Sequence, residues 1–494
     1  YGGINYFILN DRAGFQNPEA LKAPNEEAIV THAVSFSDVN NNGWLDFING
    51  NWFFGGLSPF TSKFATNKFI INKNLQFQEE TLSGVIGETL SVLLADFTND
   101  NNPDLIIGND FEAPDIFYTG NGAGDLKKIL KSDNIIPIST FATMSIDVAD
   151  YNNDLYMDIY VSAISSNDTA PLTIDKNNYC FEIKNTAEKK MCENNLKINE
   201  IIQRRDLEKC ALLVNKKEKN DCMVMVTFFL ATKDERDETM CKKIPENYSI
   251  QRTRCYDIFT PATASINNKD AIQQDQFQNI LLQGSENGIF QKFSRKSNPN
   301  RGPGEGGWSW NAKFADLDND EWQDIYVATG FMGEFLDSRS NVFFHNYQGE
   351  RFEAKQKEFG LENFNVTSAY TYIDIDNDGD LDIVTAGLNG PINVYINNET
   401  KNNSITFEFR DKKGNFFGIG NKVYIYYGED NRRHQVREIK SGGGFLSFDS
   451  PIAHFGLGQY DVVNRVEIIW STGEKTVIDK EFLANRKYVV MRGE

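Results

Sequence analysis

The chain has 494 residues, 40% of them hydrophobic, with 70 acidic against 50 basic residues and a formal net charge of −20. That length exceeds one ordinary core, so two or three domains are expected. So acidic a chain is repelled by phosphate backbones and anionic bilayers, which excludes nucleic acid and acidic membrane surfaces as partners.

In chain order, a strand–turn–strand signal comes first, Asn5 to Asn10 leading to Phe15. The chain opens at Tyr1 in mid-pattern, so an upstream segment is expected. An acidic loop follows, Asp38 to Asp46, and the two motifs then alternate. Hairpin signals recur at Lys68–Asn72 leading to Phe77, Ile116–Tyr118, Asn279–Leu282 leading to Phe290, Val342–Phe344 leading to Phe352, and Val394–Asn397. Acidic loops recur at Asp96–Asp104, Asp150–Asp158, Asp316–Asp324 and Asp374–Asp382, each running into an apolar stretch. Apolar runs bounded by Asn and Gly read as hairpins. The loops are 58, 54, 166 and 58 residues apart, so the third gap holds about 110 extra residues. A period of about 56 residues with three or four short strands is one propeller blade. Residues 1–400 therefore read as a mainly β, six- or seven-bladed β-propeller.

The extra residues, 165–275, differ in kind. Glu182–Met191 and Ile198–Val214 are rich in helix formers. All six cysteines lie between Cys180 and Cys255, which reads as three disulfides within a helical insertion and hence an oxidising compartment. Fifteen pairings are open. Zinc fits less well, because no close cysteine pair and no histidine occurs there. The longest apolar stretch, Met223 to Ala231, is too short to span a bilayer. From 404 to 494, runs such as Lys422–Tyr427, Gln435–Ile439 and Arg465–Trp470 alternate with glycine turns, as in a compact antiparallel, sandwich-like β domain.

Oxygen side chains at positions one, three, five and nine of a tight turn suit a hard cation such as Ca²⁺. The candidate ligands are Asp38, Asn40, Asn42 and Asp46; Asp96, Thr98, Asp100 and Asp104; Asp150, Asn152, Asp154 and Asp158; Asp316, Asp318, Asp320 and Asp324; and Asp374, Asp376, Asp378 and Asp382. Up to five structural Ca²⁺ ions are expected. The first loop has only two acids and is expected to bind most weakly. The sixth position favours a residue that tolerates positive φ, so Leu155 and Glu321 are expected to bend their loops differently.

The acidic loops and their following strands resemble FG-GAP/VCBS repeats of integrin-like propellers. Gly418–Val423, Arg437-Glu438-Ile439, Ser441–Ser447, His454–Gly458 and Val466–Trp470 resemble the ASPIC/UnbV domain. That order of parts resembles the cartilage acidic protein family. The resemblance implies a secreted or cell-surface Ca²⁺-binding protein of adhesion or protein interaction, with no catalytic site. The expected partner is another extracellular protein or a glycan, with a subunit of a larger assembly as a further reading. A lectin-like carbohydrate binder is the alternative, and a hydrolase or lyase fits less well.

The remaining motifs have plainer readings. Gly442-Gly-Gly444 lacks the Lys-[Ser/Thr] of a phosphate loop and reads as a tight turn or bulge. Trp308 and Trp310, with Trp52, Phe53 and Phe54, read as packing between repeats before a ligand platform. His32, His345, His434 and His454 sit in no metal motif, and Arg432–His434 reads as a surface turn. Asn167, Asn247, Asn365, Asn398 and Asn402 are glycosylation sequons.

Overall fold

The computed structural model describes residues 6–8, 20–22, 31–52, 67–82, 88–110, 113–164, 186–231, 237–248, 252, 255–256, 270–275, 278–293, 302–304, 307–330, 340–388, 390–398 and 401–492. Five antiparallel meanders follow one another along the chain, each laid down strand by strand in sequence order. The first comprises Thr31–Ser37, Asp46–Asn51, Lys68–Lys73 and Gln76–Glu80. The second comprises Thr89–Ala95, Asp104–Asn109, Ile116–Gly120 and Leu126–Lys128. The third uses Thr143–Ala149, Asp158–Ala163, Ile280–Gln283 and Gln291–Lys292, with the helical insertion between its second and third strands. The fourth uses Ser309–Ala315, Asp324–Thr329, Val342–Tyr347 and Arg351–Ala354. The fifth has three strands, Thr367–Ile373, Asp382–Gly387 and Ile392–Tyr395. A two-stranded hairpin, Tyr6–Ile8 with Ala20–Lys22, precedes them. Its return strand starts at residue 20, beyond Phe15, which lies outside the described residues.

The sheets stack face to face, the first strand of each lying against the first strand of the next. Alternation along the strand sets this up. Val92 and Leu94 join the core shared with the first sheet, and Leu93 joins the core shared with the third. Tyr160, Phe314, Ile325 and Phe344 fill the third interface, and Tyr326, Phe343, Tyr370 and Tyr372 the fourth. The first strands of the three middle sheets are therefore buried at every residue, whereas those of the first and fifth sheets are buried on one face only. The residue period of two makes both patterns possible.

Helices Thr186–Gln203, Leu207–Ala211 and Lys216–Phe229 form the insertion. Asp206 and Asn215 cap the second and third by accepting backbone N–H groups. Cys210–Cys222 ties those two helices together, and Cys241–Cys255 closes the segment after them. Cys180 and the Cys192 side chain lie outside the described part, so the third expected pair is not seen.

The C-terminal domain has two sheets around one core. Ile452–Gly458, Asn403–Arg410 and Arg486–Met491 form one; Arg433–Glu438, Lys422–Tyr427, Val462–Ile469 and Lys475–Leu483 form the other. Phe407, Phe455, Val423, Val466 and Trp470 meet between them. The expectation of a purely antiparallel domain is corrected: Asn403–Arg410 pairs parallel with Arg486–Met491. The intervening 75 or so residues supply the long crossover that a parallel pair needs.

Candidate cation loops and the domain seated on them

All five acidic loops follow one backbone path. Position four is asparagine throughout (Asn41, Asn99, Asn153, Asn319, Asn377), with φ of 55–60°. Position six also has positive φ, from 67° to 100°. The expectation that Leu155 and Glu321 would bend their loops differently is overturned: they adopt 69° and 87°. A left-handed residue other than glycine costs about 1–2 kcal/mol. Packing offsets it. Leu155 lies against the core between the second and third sheets, and Glu321 accepts a 2.7 Å hydrogen bond from the Tyr427 hydroxyl.

The position-one carboxylates of Asp38, Asp96, Asp150 and Asp316 each accept the backbone N–H groups of positions five and six, at 2.6–3.1 Å. Position nine opens the second strand. Asp46, Asp104, Asp158, Asp324 and Asp382 are fully buried. One oxygen of each holds a backbone N–H early in its own loop. The other takes an N–H beside the third strand, from Asn72, Gly120, Gly284, Asn346 and Asn397, at 2.6–2.9 Å. These aspartates staple loop to sheet, and a carboxylate keeps further lone pairs for a cation.

Two loops gather three carboxylates. Ligand oxygens of Asp316, Asp318 and Asp324, and of Asp374, Asp376 and Asp382, lie within 4.8 Å of one another. Asp374 Oδ1 is buried with no hydrogen-bond partner among the described residues. A converging, partly unpaired set of oxygens fits a divalent cation. The first loop has only two acids, and its Asn40 and Asn42 side-chain oxygens already accept backbone N–H groups. Burial pushes the carboxyl of Asp38 up to about 6, and those of Asp46 and Asp150 to about 7. Burial and then the charge of Asp318 push Asp320 to about 8. Without a positive charge, these groups resist ionising together.

The C-terminal domain touches every loop. Leu45 N donates to Gly414 O beside the first. At the third, His434 Nε2 lies 3.1 Å from Asn153 O. At the fourth, Gly458 N donates to Asn319 O, and a Cβ on Gly456 would stand 2.0 Å from Asp316 Oδ2. At the fifth, Ser404 Oγ and His454 Nε2 meet Gly379 O, at 2.7 and 3.0 Å. Burial holds the His454 imidazole down near 4, so it stays neutral. Arg433–His434 is thus partly a docking element: Arg433 lies 3.8 Å from Glu321, whereas Arg432 is exposed.

At the second loop the domain brings its own charge. Lys422 Nζ lies 2.5 Å from Asp96 Oδ2, with both side chains buried, and Glu438 accepts the Asp96 N–H. Removing one partner of a buried pair costs about 3–5 kcal/mol. Lys422→Met is therefore expected to destabilise strongly, and Asp96→Asn added to it to recover part of the loss. Urea denaturation of the single and double variants checks this; strictly additive losses would sink the ion-pair account.

From the same domain, residues 441–449 run past the first strand of all five sheets. Ser441 O accepts from Phe36 N and Ser35 Oγ. Gly443 exchanges hydrogen bonds with Val92, Ser91 and Ile146. Asn311 Nδ2 donates to Ser447 Oγ, Lys313 Nζ lies 2.5 Å from Asp449 Oδ1, and Tyr372 N donates to the same carboxylate. Phe445 packs on Trp310 at 5.2 Å within a cluster holding Leu90, Met144, Trp52 and Trp308. The tryptophans are thus packing residues; Phe53 and Phe54 lie outside the described residues. The triglycine turn, with φ of 141° at Gly442 and 81° at Gly443, lets backbone meet backbone there.

Sequence reading missed His345, whose Nδ1 lies 3.1 Å from Asp324 and 3.6 Å from Asp318. It also missed Lys422, Arg437 and Lys440 as partners of the acidic residues; Lys440 pairs with Asp147, and Arg437 lies in the field of Asp316 and Asp150. A lysine opening the apolar strand 422–427 was the available signal.

A stack of β repeats with acidic loops, closed over by a second β domain, is the class that fold and site define. Residues 96–161 match the family model of the FG-GAP-like repeat, and residues 411–494 that of ASPIC and UnbV. The chain is similar to cartilage acidic protein 1 of Homo sapiens, 28% identical over 167 residues, covering 32% of this chain and 24% of that protein. The Xenopus tropicalis protein of the same name is 33% identical over 105 residues, covering 20% of this chain and 16% of that one. The match thus spans a quarter or less of these relatives, and the resemblance read from the sequence is borne out. An Agrocybe aegerita lectin, described as recognising non-reducing terminal N-acetylglucosamine, aligns over 78% of this chain and 69% of its own at 12% identity and a TM-score of 0.35. A likeness that weak carries no argument. Among the described residues no helix is long and apolar enough to cross a membrane.

Proposed function

We propose that the chain is an extracellular, calcium-binding β-propeller protein that acts by contact with another extracellular protein and not by catalysis. The observation carrying this reading is the convergence of three carboxylates in the fourth and fifth loops, with Asp374 Oδ1 buried and unpartnered. The ligands would be the oxygens at positions one, three, five and nine. Bound Ca²⁺ would supply the positive charge that lets buried carboxylates ionise together. The five sheets are taken as successive blades, with the N-terminal hairpin giving the outer pair of a sixth. One-sided burial of the first and fifth sheets supports a further blade between them. The disulfides and the named relatives support an extracellular setting.

The chain's own C-terminal domain covers the acidic loops, so a partner has better access to the insertion. Leu212 and Val214, 79% and 101% exposed, stand between its second and third helices. Calorimetric Ca²⁺ titration tests the cation assignment. Asp374→Ala with Asp376→Ala is expected to remove one binding event; no heat from the unaltered protein would refute it.

A further inference from the structure

The fourth loop differs from the other four in what faces it. The residue just before the N–H donor to the position-nine aspartate is Ile71, Thr119, Gln283 and Ile396 in four sheets, and His345 in the fourth sheet. Ring contacts with Tyr347 at 4.5 Å and Phe359 at 5.5 Å fix the imidazole. Its Nδ1 points among the loop's carboxylates, 3.1 Å from Asp324 Oδ1 and 3.6 Å from Asp318 Oδ2. Ligand atoms of Asp318, Asp320 and His345 all lie within 4.8 Å of one another. Metal–ligand bonds of about 2.0–2.2 Å put two ligands of one ion roughly 3.0–3.6 Å apart, and the 3.6 Å between His345 Nδ1 and Asp318 Oδ2 lies at the upper end of that range.

Ca²⁺ takes oxygen ligands, whereas imidazole with carboxylate suits first-row transition ions. We propose that the fourth loop is a mixed nitrogen–oxygen site for a transition-metal dication, held by Asp318, Asp320 and His345 Nδ1, while the fifth loop keeps an all-oxygen site. A metal-bound imidazole must be neutral at the ligating nitrogen, so binding would release any proton that His345 Nδ1 shares with Asp324 Oδ1. Asp324 then serves both its staple to Asn346 and the metal's periphery. This inference rests on the reading that the loops hold divalent cations, and it adds which ion the fourth one selects.

Pulsed electron paramagnetic resonance of the full chain, stripped of metal and loaded with Mn²⁺, tests it. Mn²⁺ accepts oxygen and nitrogen ligands alike, so it reports on both kinds of loop. The expected spectrum carries the coupling of one directly bound ¹⁴N, lost in His345→Gln and kept in Asp374→Asn. Bound Mn²⁺ with oxygen ligands only in the unaltered protein would overturn this inference and leave the cation reading standing. Absence of any bound Mn²⁺ or Ca²⁺ would remove both. Since the unaltered protein gives the decisive spectrum, a poorly folding variant does not spoil the test.

Discussion

Stripped of divalent cations at pH 8, the protein is expected to melt roughly 10–20 °C lower than in millimolar Ca²⁺. A cation present at a hundredfold its dissociation constant stabilises the folded state by about 2.7 kcal/mol. With Ca²⁺ the only dication supplied and filling both, the fourth and fifth loops together then contribute about 5 kcal/mol, and each kcal/mol moves the midpoint by about 2–4 °C in a domain of about 150–250 residues. The pH dependence follows from burial. With the folded carboxyls of Asp38, Asp46, Asp150 and Asp320 pushed up to about 6, 7, 7 and 8, the metal-free folded state holds protons that the unfolded chain releases near 4. Their favourable contribution is complete below pH 4 and is lost as pH rises through 6 to 8. In a chelator the midpoint should therefore fall from pH 5 to pH 8. With Ca²⁺ present, the ionised carboxylates bind it better at the higher pH, so the gap between loaded and stripped protein should widen. Differential scanning calorimetry at three pH values measures both trends. A gap that narrows with rising pH would contradict the account.

Gly443→Val is expected to uncouple the C-terminal domain from the sheets. Gly443 donates to Val92 O and accepts from Ile146 N and Ser91 Oγ. An added Cβ would stand 2.2 Å from the Ile146 carbonyl oxygen, at a φ of 81°. Strain, collision and three displaced hydrogen bonds together exceed about 3 kcal/mol. Gly473→Ala is the control: its φ is 80°, but nothing stands within 4 Å of the added Cβ. It should cost only the backbone strain, about 1–2 kcal/mol. The valine variant should split one melting transition into two and admit a protease near residues 401–402, while the control should keep a single transition. Equal behaviour of the two variants would show that the contact at Gly443 contributes nothing.

The loops were legible because their chemistry is local. Each needs oxygens at fixed spacing and a strand that starts at the last aspartate, and Asp46, Asp104, Asp158, Asp324 and Asp382 do start strands. The helical insertion was legible for the same reason: helix formers and an even cysteine count act within one segment. The bend at Leu155 and Glu321 was not. Residue propensity argues against positive φ there, and the offsetting contacts come from elsewhere, a core and Tyr427, 106 residues along the chain.

Spacing alone thus determined the repeat length, the candidate ligands, the place of the insertion and the change to another β domain near residue 404. Those features depend on neighbours within about ten residues or on a period that can be counted. Only the tertiary structure decided that Lys422 would reach Asp96, that His345 would enter the fourth loop, and that residues 441–449 would lie against all five sheets. Each of those contacts joins residues set in register by packing alone. The position-nine carboxylates are buried by their own sheets and the C-terminal domain closes over the loops, and for the buried members, such as Asp46 and Asp150, burial makes ionisation costly.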